Sequence, residues 1–207
     1  KPVKIDFKQL RSRPKLQFSV NLDSLDLENF TKISKLGEGG FGVVYKAINK
    51  ETSETYTAKI SIYEMDQCSD DTIINLCREI DIIAQLNHPA LLKFIGFSPT
   101  NFKNHPKPVI ITELASGGSL DSILDLEKNF CGDHNWDDTK KLINIYGIAS
   151  GMSYLHKHKI IHRDLKPANI LLDEYLFPKI ADFGLSKMLK PDKELINFEK
   201  KSLRVKG

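Results

Sequence analysis

Two polar clusters, each following a short apolar run, constrain this sequence more than any other feature. The first reads HRDLKPAN over residues 162–169, and the second reads DFG over residues 182–184. Pro167 lacks an N–H and biases the residue before it away from helix, so the first cluster is predicted to be a loop. The apolar runs 170–172 and 178–181 are predicted to pair as a hairpin, which would hold both clusters at one end. This arrangement suits a site for a metal ion and phosphates.

A glycine-rich segment near the start of the chain predicts two strands joined by a turn. Gly37, Gly39 and Gly42 form the pattern G-x-G-x-x-G, which by itself is weak because dinucleotide-binding folds share it. In those folds the pattern opens a helix. Here the next residues, VVYKAI over 43–48, are mostly β-branched, aromatic or aliphatic and predict a strand.

Glu79 lies inside the apolar stripe of a predicted helix over residues 70–86. The stripe consists of Leu76, Ile80, Ile83 and Leu86 at helical spacing. A carboxylate on that face points into the protein interior, where it is costly unless it is paired. Lys59, in the predicted strand 55–63, is the expected partner.

At these residues the chain resembles the eukaryotic protein kinases. The motifs H-R-D-x-K-P-x-N, D-F-G and G-x-G-x-x-G-x-V all occur, and Asp182 follows Asn169 by thirteen positions. The segments LGEGGFGVVYKA, GMSYLHKHKIIHRDLKPANILLD and ADFGLSK are most similar to the tyrosine-kinase-like group of serine/threonine kinases. The resemblance implies an α+β, two-lobed fold with a small β-rich N-lobe and an α-rich C-lobe, of which only the first part matches.

The resemblance also implies roles in phosphoryl transfer from Mg-ATP. Asp164 would orient the attacking hydroxyl and Lys166 would lie beside the γ-phosphate, which implies Ser or Thr acceptors on protein substrates. Asn169 and Asp182 would bind Mg²⁺. Lys59, paired with Glu79, would contact the α- and β-phosphates.

The ATP site implied by the resemblance lies between the lobes. Phe41 would lie at the tip of the glycine-rich turn, Val44 and Ala58 would pack on adenine, and Thr112 would be the gatekeeper before the hinge. The implied ATP-binding residues are Leu36, Gly37, Gly39, Gly42, Val44, Ala58, Lys59, Thr112, Glu113, Ala115 and Leu171. Ile83, Phe94, His162 and Phe183 match the family's regulatory stack, although a plain core role fits them equally well.

The predicted organisation has four parts: a linker or N-terminal extension over 1–29, the N-lobe over 30–112, the hinge over 113–118 and a partial C-lobe over 119–207. A C-lobe helix is predicted over 138–156, with Gly147 and Gly151 allowing close packing. From residue 185 the chain turns polar, as an activation loop would, and Ser202 is a candidate phosphosite.

Composition is that of an ordinary globular chain, with 207 residues, a net charge of +3 and 41% hydrophobic residues. The positive charge is too small to imply nucleic acid, and no run approaches the roughly 20 apolar residues of a membrane span. Three widely spaced cysteines indicate neither disulfides nor zinc. We expect a cytoplasmic, or else nuclear, location.

Two alternatives to a protein serine/threonine kinase remain open. A pseudokinase scaffold would bind nucleotide without turnover, but Lys59, Glu79, Asp164, Asn169 and Asp182 are all present. A small-molecule phosphotransferase would share an Asp and Asn arrangement but not the full motif pair. Because the resemblance stops early in the large lobe, residues 1–207 alone are expected to be inactive.

Overall fold

The computed structural model describes residues 24–40, 42–65, 69–129 and 135–189. Phe41, Ser202 and most of the predicted linker lie outside these ranges. Within them, the predicted α+β architecture is confirmed: a β-rich lobe is followed by a helical one. The elements are β1 (Phe30–Gly39), β2 (Gly42–Asn49), β3 (Thr55–Ser61), α1 (Asp70–Ile83), β4 (Phe94–Ser98), β5 (Val109–Glu113), α2 (Leu120–Lys128), α3 (Asp138–Lys157), β6 (Ile160–Ile161), β7 (Ile170–Leu172), β8 (Pro178–Ile180) and β9 (Lys187–Met188).

The N-lobe is built on one antiparallel sheet in the order β1-β2-β3-β5-β4. Residues that pair directly across strands share a face. Val44, Lys59 and Ile110 pair in one row and therefore share one face. Ile110 packs with α1 and with residues of the second lobe, so this face is directed toward the cleft between the lobes. Tyr45, Ala58 and Ile111 form the neighbouring row on the outer face. The register thus decides which side chains can reach the cleft.

Helix α1 packs its apolar stripe against the cleft side of the sheet. Ile80 and Ile83 are buried in a cluster that also contains Ile110 of β5. The helix ends at Ile83, three residues before the predicted end. A turn follows, in which Leu86 N–H donates to the Ile83 carbonyl, three residues back, at 3.3 Å. This turn leads into Pro89, which cannot continue a helix.

The second lobe places the predicted hairpin on helix α3. β7 and β8 pair antiparallel, with Ile170 opposite Ile180, so the predicted hairpin is confirmed. Gly147 and Gly151 face it, because a Cβ on Gly147 would lie 2.6 Å from Pro178 and one on Gly151 would lie 2.8 Å from Ile180. The predicted close packing at both glycines is therefore confirmed.

One buried cluster joins the two lobes. It combines Ile80, Ile82 and Ile83 of α1 with Leu155 of α3 and Phe183 beyond β8. The residues between α1 and β4 add backbone bonds to the hairpin, where Ile180 N–H donates to the Ala90 carbonyl at 2.8 Å. A β-rich lobe and a helical lobe are therefore held together beside the motif residues.

Residues 24–29 stand at the start of the described part. The sequence predicts them as part of a linker, but they pack on the sheet, with Leu27 buried.

Among the described residues, no helix has the length and apolar character needed to cross a membrane.

Candidate active site

Lys59 and Glu79 meet at the cleft, as the apolar stripe of α1 predicts. Lys59 Nζ lies 2.6 Å from Glu79 Oε1, and the two side chains are 27% and 11% exposed. The sheet register turns Lys59 toward the cleft, and Glu79 lies one helical turn from buried Ile83. The near-buried carboxylate is therefore paired, which avoids the cost of an isolated buried charge.

The loop between β6 and β7 holds its polar residues in one hydrogen-bonded group. Lys166 Nζ donates to Asp164 Oδ2 at 2.9 Å, and Asn169 Nδ2 donates to the same oxygen at 2.9 Å. Asn169 Nδ2 also donates to the Asp164 carbonyl at 2.8 Å. The bond from Lys166, followed by the bond from Asn169, lowers the pKa of Asp164, and the same ion pair raises the pKa of Lys166. Asp164 is therefore held as a carboxylate at neutral pH.

Asp182 follows β8 in a strained backbone conformation. Its φ is +62°, in the left-handed region that only a few per cent of non-glycine residues adopt. Gly184 N–H donates to Asp182 Oδ1 at 3.4 Å. A Cβ on Gly184 would lie 3.4 Å from Asp182 Oδ1 and 3.7 Å from Glu79 Oε2, so both carboxylates border this glycine. The predicted metal ligand therefore lies beside the Lys59–Glu79 pair.

His162 connects the two motif clusters through buried contacts. Its Nε2 lies 3.0 Å from the Ala181 carbonyl, and Asp164 N–H donates to Nδ1 at 3.4 Å. Its ring meets Phe183 edge-on at 5.1 Å. Burial lowers the pKa of the imidazole, which fits a neutral ring with Nε2 as donor and Nδ1 as acceptor.

The segment after β5 is tied to the hairpin by backbone bonds. Gly117 N–H donates to the Leu172 carbonyl, and Leu172 N–H donates to the Gly118 carbonyl, both at 2.8 Å. A Cβ on Gly117 would lie 2.6 Å from the Asp173 carbonyl oxygen, so only glycine fits this approach. The segment therefore has a fixed position above Leu171, which bridges to Ser119.

Comparisons with known proteins agree with this geometry. A family model described as "Protein kinase domain" matches residues 30–203. The chain belongs to the protein kinase family. A relative from Oryza sativa subsp. japonica, cysteine-rich receptor-like protein kinase 10, is 39% identical over 173 residues, which are 82% of this chain and 25% of the relative.

Two relatives from Arabidopsis thaliana are similar to the chain at comparable levels. Cysteine-rich receptor-like protein kinase 44 is 32% identical over 192 residues, covering 91% of this chain and 47% of the relative. G-type lectin S-receptor-like serine/threonine-protein kinase At4g03230 is 34% identical over 180 residues, covering 82% of this chain and 20% of the relative. The chain thus spans less than half the length of each of these curated relatives.

The kinase sheet corrects one predicted adenine contact. Ala58 is fully buried on the outer face, in a cluster with Leu27, Val109 and Ile111, so its side chain points away from the cleft. Neighbouring strand residues point to opposite faces, and Thr57, two positions before Lys59, lies on the cleft face instead. The prediction for Ala58 is therefore wrong, and strand alternation in the sequence already contained the signal for Thr57.

The other predicted ATP-binding residues lie on elements that border the kinase cleft. Val44 pairs directly with Lys59, and Thr112 pairs with Thr57 in the same cleft-facing row. Thr112 is buried, and its Oγ1 donates to the Glu113 carbonyl at 3.2 Å. Half-exposed Leu36 precedes Gly37 at a bulge in β1, and Ala115 is half-buried after β5. Their contact with nucleotide stays a prediction.

The kinase structure also brings the four residues of the predicted stack together. Ile83 and Phe183 share one buried cluster, Phe94 packs against it, and His162 contacts Phe183. These contacts exist while the Lys59–Glu79 pair is formed. The stack and the charge pair are therefore assembled in the same conformation.

Proposed function

We propose that the protein containing this chain transfers the γ-phosphoryl group of Mg-ATP to serine or threonine hydroxyls of other proteins. The observation that carries the proposal is the Lys59–Glu79 contact at 2.6 Å beside the Asp182–Gly184 turn. A cation held by a paired carboxylate neutralises phosphate charge without having to be reorganised during the reaction.

The chain's own groups suit the transfer step. In that step the bond from the γ-phosphorus to the β,γ-bridging oxygen breaks and releases ADP, and a bond to the acceptor hydroxyl oxygen forms. The hydroxyl proton passes to the Asp164 carboxylate and then to water. Asp164 is kept ionised by Lys166 and Asn169, so it can accept the hydroxyl hydrogen bond and orient the nucleophile. Lys166 lies 2.9 Å from Asp164 and places a second cation beside the transferred group.

The donor atoms around the cleft fit Mg²⁺. Asn169 uses Nδ2 for both bonds to Asp164, which turns its carboxamide oxygen away from that residue. Asp182 contributes a carboxylate, and hard oxygen donors of these two kinds are what Mg²⁺ prefers. Asn169 and Asp182 would hold the ion, which when bound neutralises phosphate charge.

The proposal also names an acceptor class and a location. Lys166 in the HRDLKPAN loop and the serine/threonine-protein kinase among the relatives support hydroxyls of Ser and Thr. We propose a cytoplasmic site of action, as expected from the sequence. Imaging of the tagged full-length protein tests the location.

The decisive experiment uses the full-length protein with Mg-ATP and a peptide library, followed by phosphoamino-acid analysis. We expect phosphoserine and phosphothreonine, and we expect Asp164→Ala to reduce kcat by roughly 10²- to 10⁴-fold, as loss of a catalytic acid or base does. Asp121→Ala, which removes an exposed carboxylate on α2, is the matched control and should leave turnover unchanged. Nucleotide binding without turnover would instead establish a pseudokinase, and phosphotyrosine would refute the acceptor class.

A further inference from the structure

The segment Ser24–Asn29 crosses the outer face of the N-lobe sheet, although it lies before residue 30, where the family match begins. We call this segment the strap. It starts beside β4, at one edge of the sheet, and ends at β1, at the other edge. Its contacts fall into three groups, one at each edge and one in the middle.

At the β4 edge the strap adds a short parallel bridge. Ser24 pairs with Phe97, and Leu25 N–H donates to the Phe97 carbonyl at 2.7 Å. The side chain of Leu25 lies directly over Gly96, since a Cβ built there would be 3.1–3.2 Å from three Leu25 atoms. Gly96 pairs with Ile111 and therefore shares the outer face. The absence of a side chain at Gly96 creates the seat for Leu25.

In the middle of the sheet the strap buries Leu27. Leu27 is 9% exposed and packs with Ala47, Ala58, Val109 and Ile111 of three strands. Asp26 caps the short 3-10 turn that follows, with Glu28 N–H donating to Asp26 Oδ1 at 2.9 Å. The two alanines leave the space that the leucine fills. The strap thus covers a surface that would otherwise be an exposed apolar patch.

At the other edge the strap leads directly into the strand that carries the glycine-rich turn. Lys50 N–H donates to the Asn29 carbonyl at 2.8 Å, and Lys50 Nζ donates to the Glu28 carbonyl at 2.7 Å. Phe30 is buried and meets Tyr56 edge-on at 5.7 Å. The start of β1 is therefore fixed by the strap on one side and by β2 on the other.

We propose that the outer face of the sheet is a docking surface for the strap, and that docking fixes β1 and so sets the affinity of the glycine-rich turn for Mg-ATP. The first half stands on the contacts above, and the second half rests on the proposed function. A displaced strap frees β1, and nucleotide binding must then order β1, which weakens the affinity. The strap is a positioning element, since none of its residues reaches the cleft.

The test uses chain 1–207 with the strap displaced in two ways. Leu25→Ala with Leu27→Ala removes the anchors, and Gly96→Val fills the seat of Leu25 without altering the strap. Hydrogen exchange of the β1 amides, measured without nucleotide, should rise roughly tenfold in both variants, as local opening becomes easier. Mg-ATP Kd should rise roughly fivefold, because binding then bears an added ordering cost. Leu126→Ala, at an exposed leucine of α2, is the control and should change neither.

Each outcome decides a separate part of the proposal. Unchanged β1 exchange in both variants would overturn the docking claim. Raised exchange with unchanged Mg-ATP affinity would overturn the link to the nucleotide site. If the parent chain does not bind Mg-ATP, the proposed function fails at this chain, and the exchange data still decide whether the strap docks. Where the double variant does not fold, Leu25→Ala is measured alone. If Gly96→Val raises β1 exchange in the parent chain but not in the Leu25→Ala background, the contact between Leu25 and Gly96 is supported, and an equal rise in both backgrounds would overturn it.

Discussion

Glu113, the last residue of β5, is bonded through its carboxylate to Lys179 of the hairpin strand β8. Lys179 Nζ donates to Glu113 Oε2 at 3.2 Å, while Lys93 N–H donates to Oε1 at 2.8 Å. The side chains of Lys179 and Glu113 are 14% and 27% exposed. Lys179 also pairs across the hairpin with Leu171. One carboxylate thus joins the sheet, the segment before β4 and the strand that leads to Asp182.

The two sides of this pair should respond differently to substitution. Lys179→Met removes one bond and leaves a carboxylate that water and Lys93 N–H still stabilise, so we expect a loss of about 1 kcal/mol. Glu113→Ala leaves a mostly buried cation and a backbone N–H without partners, so we expect about 3 kcal/mol. Urea unfolding of both variants measures the difference, with Lys128→Met as the exposed-pair control. Equal losses would show that the carboxylate does not have this double role.

Thr112 should control access to the space behind the nucleotide. Its side chain is small, buried and on the cleft face of β5. Thr112→Met should weaken inhibitors that extend behind adenine by at least roughly tenfold, because the larger side chain occupies their space. ATP affinity should stay within a few-fold, since ATP does not reach there. Competitive binding assays with both ligand classes decide this, and parallel losses would show that the hinge is misplaced.

His162 should make the folded state less stable in mild acid. Burial lowers its pKa in the fold below the unfolded value. The unfolded chain therefore binds a proton that the native state resists, and stability falls as pH decreases through the unfolded pKa of about 6.5. Unfolding free energies measured between pH 7.5 and pH 5 should show this slope, and His162→Gln should reduce it. A slope unaffected by the substitution would assign the effect to other groups.

Buried and exposed positions of helix α3 should differ in their effect on stability. Leu155 is fully buried, whereas Leu142 and Ile145, on the water-facing side near the start of the helix, are 65% and 67% exposed. Leu155→Ala should cost about 2–5 kcal/mol, and Leu142→Ala should stay within about 0.5 kcal/mol. Chemical denaturation of chain 1–207 tests both variants. A large loss from Leu142→Ala would mean that something covers this side in solution.

The expected inactivity of residues 1–207 alone stays a prediction. Apolar side chains of α3 that face water, such as Tyr146 at 76% exposure, do not contribute the roughly 1.5–3 kcal/mol of a buried one. Peptide phosphorylation should be measured for chain 1–207 beside the full-length protein. Comparable turnover in chain 1–207 would contradict the expectation.

The sequence by itself determined the residues whose pattern is local. The helical stripe around Glu79 predicted its pairing with Lys59, and the two motif clusters predicted the hairpin that brings Asp164 and Asp182 toward one end. These predictions succeeded because the spacing of apolar residues within one short segment shows which side of a helix or strand is buried. The same logic, applied to β3, would have put Thr57 rather than Ala58 on the cleft face.

Only the tertiary structure decided the contacts between distant segments. Leu25 docks on Gly96, and Lys179 meets Glu113, across separations of 71 and 66 positions along the chain. Neither pair has a local signature, since an isolated leucine before a strand reads as a linker and a strand lysine reads as solvent-facing. Such contacts arise because the strap covers the outer face of the sheet and the hairpin packs beside β5, and burial selects the partners. The physical reason is that the packing energy of a side chain depends on the surface it meets. The order of residues within one segment does not specify that surface when it belongs to a distant segment.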